Sequence, residues 1–359
     1  MRLICRPDWE DAAERLTRWW AGESLGRPAM SLTAPSDGAT SVDLPQPPSL
    51  WDRWTNPDYV VPRVDATIHS TAYFAEACPM EWVNLGAVSQ VGYLGTKVVC
   101  APSTVWHEPF VEEWTGYHPE VDRENEWYRI TKRLTERMMD AADGKWFVGN
   151  GEMPEVGDVM SAIRGPQEFC MDLIEGPRGE MERVRDEIRA MMSGVYDEAL
   201  GMLPAHWEGT SGWLRIWHPG RTTTSQCDFS CMISKDMFDD FLAPALKRQT
   251  ARVDGAMYHL DGEGALQHVD TLLELPNLRG IQWVPGDGSD PCYHPRWRPL
   301  LRKIIEAGKC VHLSVPASEI ERLVTDLPPE GLYLVTGCAS ESDARELLAS
   351  VARWSIQRR

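Results

Sequence analysis

The chain has 359 residues, 43% of them apolar and 25% charged, with 54 acidic against 36 basic side chains and a net charge of -18. That balance excludes a disordered chain and a membrane-embedded one, and its negative field repels phosphate backbones and anionic lipid, so neither nucleic acid nor a membrane is an expected partner. The nine cysteines are odd in number and form no CxxC pair. Together with the lack of an apolar run near the start, this points to a reducing, cytoplasmic setting.

A first helix is expected over 8–20, with Asp8 as its cap, an apolar face of Trp9, Ala12, Ala13, Leu16, Trp19 and Trp20, and Gly22 and Gly26 beyond its end. A strand follows at 29–34, and the Pro-, Ser-, Asp- and Gly-rich text from there to about residue 61 reads as a long surface loop. Short apolar runs then alternate with amphipathic stretches, the rhythm of parallel βα units. Further strands are expected at 82–86, 146–150, 213–217, 256–260, 280–284, 310–315 and 332–337, with helices at 124–142, 178–201, 234–253, 264–273, 299–307, 318–325 and 340–354. Eight strands with interposed helices predict an α/β fold, a single-domain (β/α)8 TIM barrel over 1–359 with an N-terminal extension. Its less regular segment, 35–145, carries an extra hairpin (97–101 with 104–106) expected to lie over the barrel mouth.

Reactive groups of such a barrel sit at the C-terminal ends of strands and in the loops beyond them. The fifth run ends Tyr258-His259-Leu260-Asp261-Gly262, and strand alternation points His259 and Asp261 to the same side as a candidate acid/base pair. Gln282 and Trp283 precede a Pro285-Gly286 turn, Asn150 and Glu152 follow the third run, and Trp217, Gln226 and Asp228 lie on or after the fourth. With Tyr258 these are the candidate substrate wall, and 16 tryptophans in one chain make flat surfaces for rings, sugars or methylated cations plausible there. Cys338 ends the eighth run just before a helix, whose first amides lower a thiol's pKa. His268, Met191 and Met192 read as packing residues, and Cys227 with Cys231 lacks the second pair of a zinc knot.

Segments 226–231, 234–244, 258–262 and 280–286 resemble the uroporphyrinogen decarboxylase superfamily, in particular bacterial members with YHLDG and IQW motifs, here Tyr258-His259-Leu260-Asp261-Gly262 and Ile281-Gln282-Trp283. A thinner likeness extends to Ile163-Arg164-Gly165 with Asp172, and to Trp19-Trp20-Ala21-Gly22-Glu23 with Arg27-Pro28. The resemblance implies the (β/α)8 barrel and two activities: cofactor-free tetrapyrrole decarboxylation, or zinc-dependent methyl transfer between a corrinoid protein and a thiol. On the methyltransferase pattern, zinc falls to His259 and Cys338, with Asp261 standing where the family's first cysteine belongs. A His/Asp/Cys set suits catalytic zinc but makes the ion harder and a thiol acceptor less favoured. The decarboxylase branch binds its polycarboxylate through arginines near the N-terminus, for which Arg2, Arg6, Arg15, Arg18 and Arg27 are the candidates.

Three functions therefore stay open. One is a zinc-assisted methyltransferase with a corrinoid protein or thiol acceptor as partner and no tightly bound organic cofactor. Another is a metal-free decarboxylase or lyase in which Asp261 and His259 move protons and Trp283 stacks on the substrate. The last is a non-catalytic small-molecule-binding barrel. A homodimer is the expected state in each case.

Overall fold

The computed structural model describes residues 3–39, 42–44, 46–150, 153–204 and 207–357. Seven strands build its central sheet: β1 (Ala29–Pro35), β2 (Thr71–Ala75), β3 (Thr222–Gln226), β4 (Gly255–Asp261), β5 (Leu278–Val284), β6 (Cys310–Ser314) and β7 (Leu332–Gly337). Their order is β2-β1-β7-β6-β5-β4-β3, parallel throughout except for β2, which runs antiparallel to β1. The observed architecture is thus a mixed, seven-stranded α/β sheet, and hydrogen-bonded closure by an eighth strand does not occur among the described residues.

The expected strands at 82–86 and 146–150 shrink to Met80–Glu81 and Phe147–Val148, a two-residue parallel pair apart from the main sheet. The run at 213–217 is not one strand: Leu214 and Ile216 are buried as loop residues, Arg215 takes φ 58, and only Trp217–His218 pairs, with Thr210–Ser211. The strand beside β4 is instead β3, Thr-Thr-Thr-Ser-Gln, buried at its first four residues. Its hydroxyls hide it from an apolar-run reading, although β-branched threonines suit a pleated ladder.

The expected loop to residue 61 gives way at Ser49, whose side chain caps helix Leu50–Thr55, and Asn56 then caps Pro57–His69. Pro57 sits in the first turn of that helix, where its missing N–H costs nothing. The expected helix at 234–253 forms as one helical run with a π turn at Phe238–Leu242, two residues ahead of Pro244. The proline lacks the N–H that an α-helix would direct to residue 240, so the turn widens. The hairpin is present as Val98–Cys100 paired with Val105–His107.

Strand alternation divides the sheet into two faces. Met30, Tyr258, Leu260, Ile281, Trp283, Val311, Leu313, Leu332 and Leu334 pack with helix residues Phe241, Leu242, Leu301, Ile304, Leu323 and Val351. The other parity is the inner face: Ala29, Met257, Cys310 and Tyr333, all near the starts of their strands, pack with Trp9, Leu16 and Trp19 of helix Trp9–Trp20 and with Phe147 and Trp217. That helix therefore plugs the end where the strands begin. The polar residues His259, Asp261 and Gln282 share the inner parity toward the opposite end. Among the described residues no helix is long and apolar enough to cross a membrane.

Candidate functional site

The inner face carries a row of polar groups in register across four strands: Gln226, His259, Gln282 and His312, followed by Tyr333 on β7. Gln282 Oε1 lies 2.6 Å from His259 Nδ1, so the ring donates its Nδ1–H to the amide and keeps its lone pair on Nε2. His312 is buried, stacks on Tyr333 at 5.3 Å, and is held neutral chiefly by burial, its pKa pushed down to about 3.

Two residues beyond His259, Asp261 ends β4, and Gly262 at φ 79 turns the chain away. Asp228 arrives from the other side, at the head of the 3-10 turn Asp228–Met232 that follows β3. Asp228, His259 and Asp261 each offer a ligand atom, and these atoms lie within 4.8 Å of one another. Gln226 Nε2 donates to Asp228 Oδ2 at 3.4 Å, and Trp213 stands edge-on to the His259 ring at 5.2 Å. Asp261 Oδ1 is buried without a hydrogen-bond partner. Withdrawal from solvent and the nearby Asp261 charge raise the Asp228 carboxyl above its ordinary value, with His259 opposing.

Behind this group lie two more carboxylates, Glu155 just before and Asp158 within the first turn of helix Val156–Arg164. Asp158 accepts from the Asp228 N–H at 3.1 Å and the Phe229 N–H at 2.9 Å, which fixes the turn that presents Asp228. Its pKa is raised well above normal by burial and by the Asp228 and Glu155 charges. Glu155 caps the helix, Oε2 accepting from Gly157 N–H at 2.5 Å while Oε1 is buried with no hydrogen-bond partner. Burial pushes its carboxyl up to about 7 against the lowering effect of the Cys227 thiol and the amides of 156–158. No lysine or arginine ion-pairs with Glu155, Asp158, Asp228 or Asp261 among the described residues.

The raised Glu155 value carries a stability prediction. Because the folded state holds this proton more tightly than the unfolded chain, native stability falls as pH rises from 4.5 to about 7 and levels off above. A Glu155→Gln variant is expected to gain on the native protein by about 2 kcal/mol between pH 5 and pH 8. Urea unfolding of both proteins in chelator at the two pH values measures it, and parallel profiles would contradict the assignment.

A cavity of about 280 Å³ opens beside the cluster, with Trp213, Gln226, Asn150, Glu155 and Asp158 on its wall. Trp82, Tyr93 and Tyr128 also line it. Asn150 is buried and donates to the Thr222 carbonyl at 3.3 Å.

Of the expected site residues, the structure gathers His259, Asp261, Asp228 and Gln282 in one group and sets Gln226 and Asn150 on the cavity wall. Three expected wall residues lie elsewhere. Tyr258 and Trp283 have the opposite strand parity and are buried against helices. Trp217 packs edge-on against Trp9 at 5.6 Å in the plugged end, and Trp213 takes the wall position instead. Cys338, expected as a metal ligand, packs against the cluster of Leu32, Ala34 and Ala344, and Asp228 stands as third member of the group. Burial and the Asp343 charge raise its pKa rather than lower it. Glu152 lies outside the described residues.

The N-terminal arginines are structural. Arg6 donates to the Ala75 and Ala77 carbonyls, Arg15 and Arg27 bind Glu76, and Arg18 binds Glu23; Arg2 is outside the described residues. Glu155 and Asp158, absent from the sequence reading, follow the third strand position at a helix start, where the strand-end rule applies equally.

No protein-family model and no curated protein sequence matches the chain. Among solved structures it is similar to a methyltransferase from Methanosarcina mazei, with a TM-score of 0.58 and 12% sequence identity over 95% of this chain and 98% of that one. A glycoside hydrolase family 5 enzyme from Prevotella bryantii aligns over 93% of this chain and 96% of its own at 9% identity, but a TM-score of 0.29 carries no argument. The chain thus shares its overall fold with a methyltransferase.

Proposed function

We propose that this chain is an enzyme in which Asp228, His259 and Asp261 hold a divalent metal ion of the zinc class, and that it catalyses methyl transfer in the adjoining cavity. The observation that carries the metal reading is the triad itself: two carboxylates and an imidazole converge within 4.8 Å, and among the described residues no lysine or arginine ion-pairs with them. The partnerless Asp261 Oδ1 fits a cation as its missing neighbour. One nitrogen and two oxygen donors suit zinc or another borderline ion with positions left open, and make it harder than a thiolate set would. When bound, such an ion supplies Lewis-acid polarisation of a substrate heteroatom.

The chain's own groups prepare that site. Gln282 fixes the His259 tautomer so that Nε2 is the free donor, Asp158 orients the turn bearing Asp228, and Trp213 shields the imidazole from water. Methyl transfer as the reaction is supported by the likeness of segments 226–231 and 258–262 to the uroporphyrinogen decarboxylase superfamily and by the fold shared with a methyltransferase. A corrinoid protein as methyl carrier belongs to the same reading. The same convergence of carboxylates on an imidazole supports a second reading, a metal-free lyase in which Asp261 and His259 exchange protons with the substrate.

Zinc titration of chelator-treated protein by calorimetry separates the two. One saturable site of about one ion per chain is expected, weakened about 10- to 100-fold by Gln282→Leu, more by Asp261→Asn, and unchanged by Cys338→Ser. Absence of saturable binding by zinc, manganese or iron(II) would leave the metal-free reading in its place.

A further inference from the structure

We infer that the cavity beside the triad is built for a substrate carrying an alkylammonium group. The inference rests on the proposed function only in taking this cavity as the substrate site.

The wall joins two features that each select a cation. Glu155 and Asp158 are both wall residues of the cavity, both buried and, among the described residues, neither ion-paired, and Glu155 Oε1 has no hydrogen-bond partner. A buried carboxylate oxygen left in that state is costly unless something in the cavity supplies positive charge or a donor. Lys132, the one cationic residue of the lining, does not supply it: its charge acts on Glu198, which also binds Arg123 and Tyr128. The lining also includes the aromatic residues Trp82, Tyr93, Tyr128 and Trp213, and the Trp82 ring already carries the Arg215 guanidinium at 5.4 Å. Their faces are negative and attract a dispersed cation such as a methylated amine, whose methyl groups also need apolar contact.

The same arrangement selects against other ligands. Glu155 and Asp158, whose nearest possible counter-charge is a ligand in the cavity, disfavour a carboxylate, phosphate or thiolate there, and the chain's net charge of -18 acts in the same direction. A neutral ring or sugar would satisfy the aromatic faces but leave Glu155 unbalanced. A small organic cation of trimethylammonium type meets both demands and fits within about 280 Å³.

Calorimetric titration with trimethylamine, choline and tetramethylammonium, alongside 3,3-dimethylbutan-1-ol as the uncharged isostere of choline, tests this. At least one of the cations is expected to bind saturably, with the isostere about tenfold weaker than choline or worse. Glu155→Gln, a variant expected to fold at least as well as the native protein at neutral pH, should lose most of that binding, and Trp213→Leu should weaken it. Asp261→Asn should keep it while losing zinc. Equal binding of the isostere, or no saturable binding by any of the three cations, overturns the inference. Zinc binding that survives such a result leaves the metal proposal standing, and cation binding without zinc binding does the reverse, so the two fail separately.

Discussion

Replacing Glu76 with alanine is expected to lower the free energy of unfolding by about 3–5 kcal/mol, among the largest effects of any single side-chain removal in this chain. Glu76 follows β2 directly and is fully buried. Its Oε1 accepts from Arg15 Nε at 2.7 Å and Arg27 Nη2 at 2.8 Å, and its Oε2 from Arg27 Nη1 and the Met30 N–H, both at 2.9 Å. One carboxylate thus ties the first helix, the entry to β1 and the end of β2 together. Alanine would strand Arg27, 13% exposed, without its counter-charge. Burial by itself would raise the Glu76 pKa, but the Arg27 and Arg15 bonds and the Met30 amide outweigh it and hold the carboxyl below its ordinary 4.5. Its contribution is therefore fully present above pH 4.5 and is lost as pH falls through the lowered folded value. Guanidinium unfolding should show a gap between native and variant that is constant from pH 8 to pH 5 and closes in stronger acid. A gap below about 1 kcal/mol at pH 7, the range of exposed pairs, would contradict this role.

The interior ion cluster was not legible from the residues alone, and the contrast with what was legible is physical. β4 to β7 were readable because each is a short apolar run with a polar or glycine-bearing end, the pattern a strand covered on both faces produces. β3 was missed because its buried positions are threonines and a serine, and β2 because it is a short strand only half-buried over its first four residues. The candidate site divides in the same way. His259 and Asp261 were found by strand parity, and that parity argument, applied to every position, also excludes three of the misassigned ones. Tyr258 shares the parity of Leu260, Trp283 that of Ile281, and Cys338 that of Leu334, all of which face helices. Which residues reach Asp261 is a different matter: Asp228 joins through a turn held by Asp158, 70 positions earlier in the chain, and such a contact leaves no local periodicity.

Trp283 is the sharpest case, because a residue expected to stack on substrate should instead behave as a pillar of the fold. It is 1% exposed and meets Trp297 edge-on at 5.0 Å. Trp297 in turn leads into helix Arg298–Glu306, so the indole pair fastens that helix to β5. Truncation to alanine removes a large apolar side chain from a packed layer and is expected to cost about 3–5 kcal/mol in unfolding free energy. Part of that is the edge-to-face contact, worth about 0.5–1.5 kcal/mol in comparable pairs. Trp283→Phe should recover most of the loss, since a ring is retained and the indole N–H has no hydrogen-bond partner to forfeit. Zinc and alkylammonium affinities, measured well below the unfolding transition, should stay at native values in both variants. Trp213→Ala should give the opposite pattern: Trp213 is half-buried and borders His259, so its loss should disturb ligand binding more than stability. If Trp283→Ala instead left stability intact and abolished binding, the helix-facing position assigned to it would be wrong, and with it the parity that sets His259 and Asp261 on the inner face.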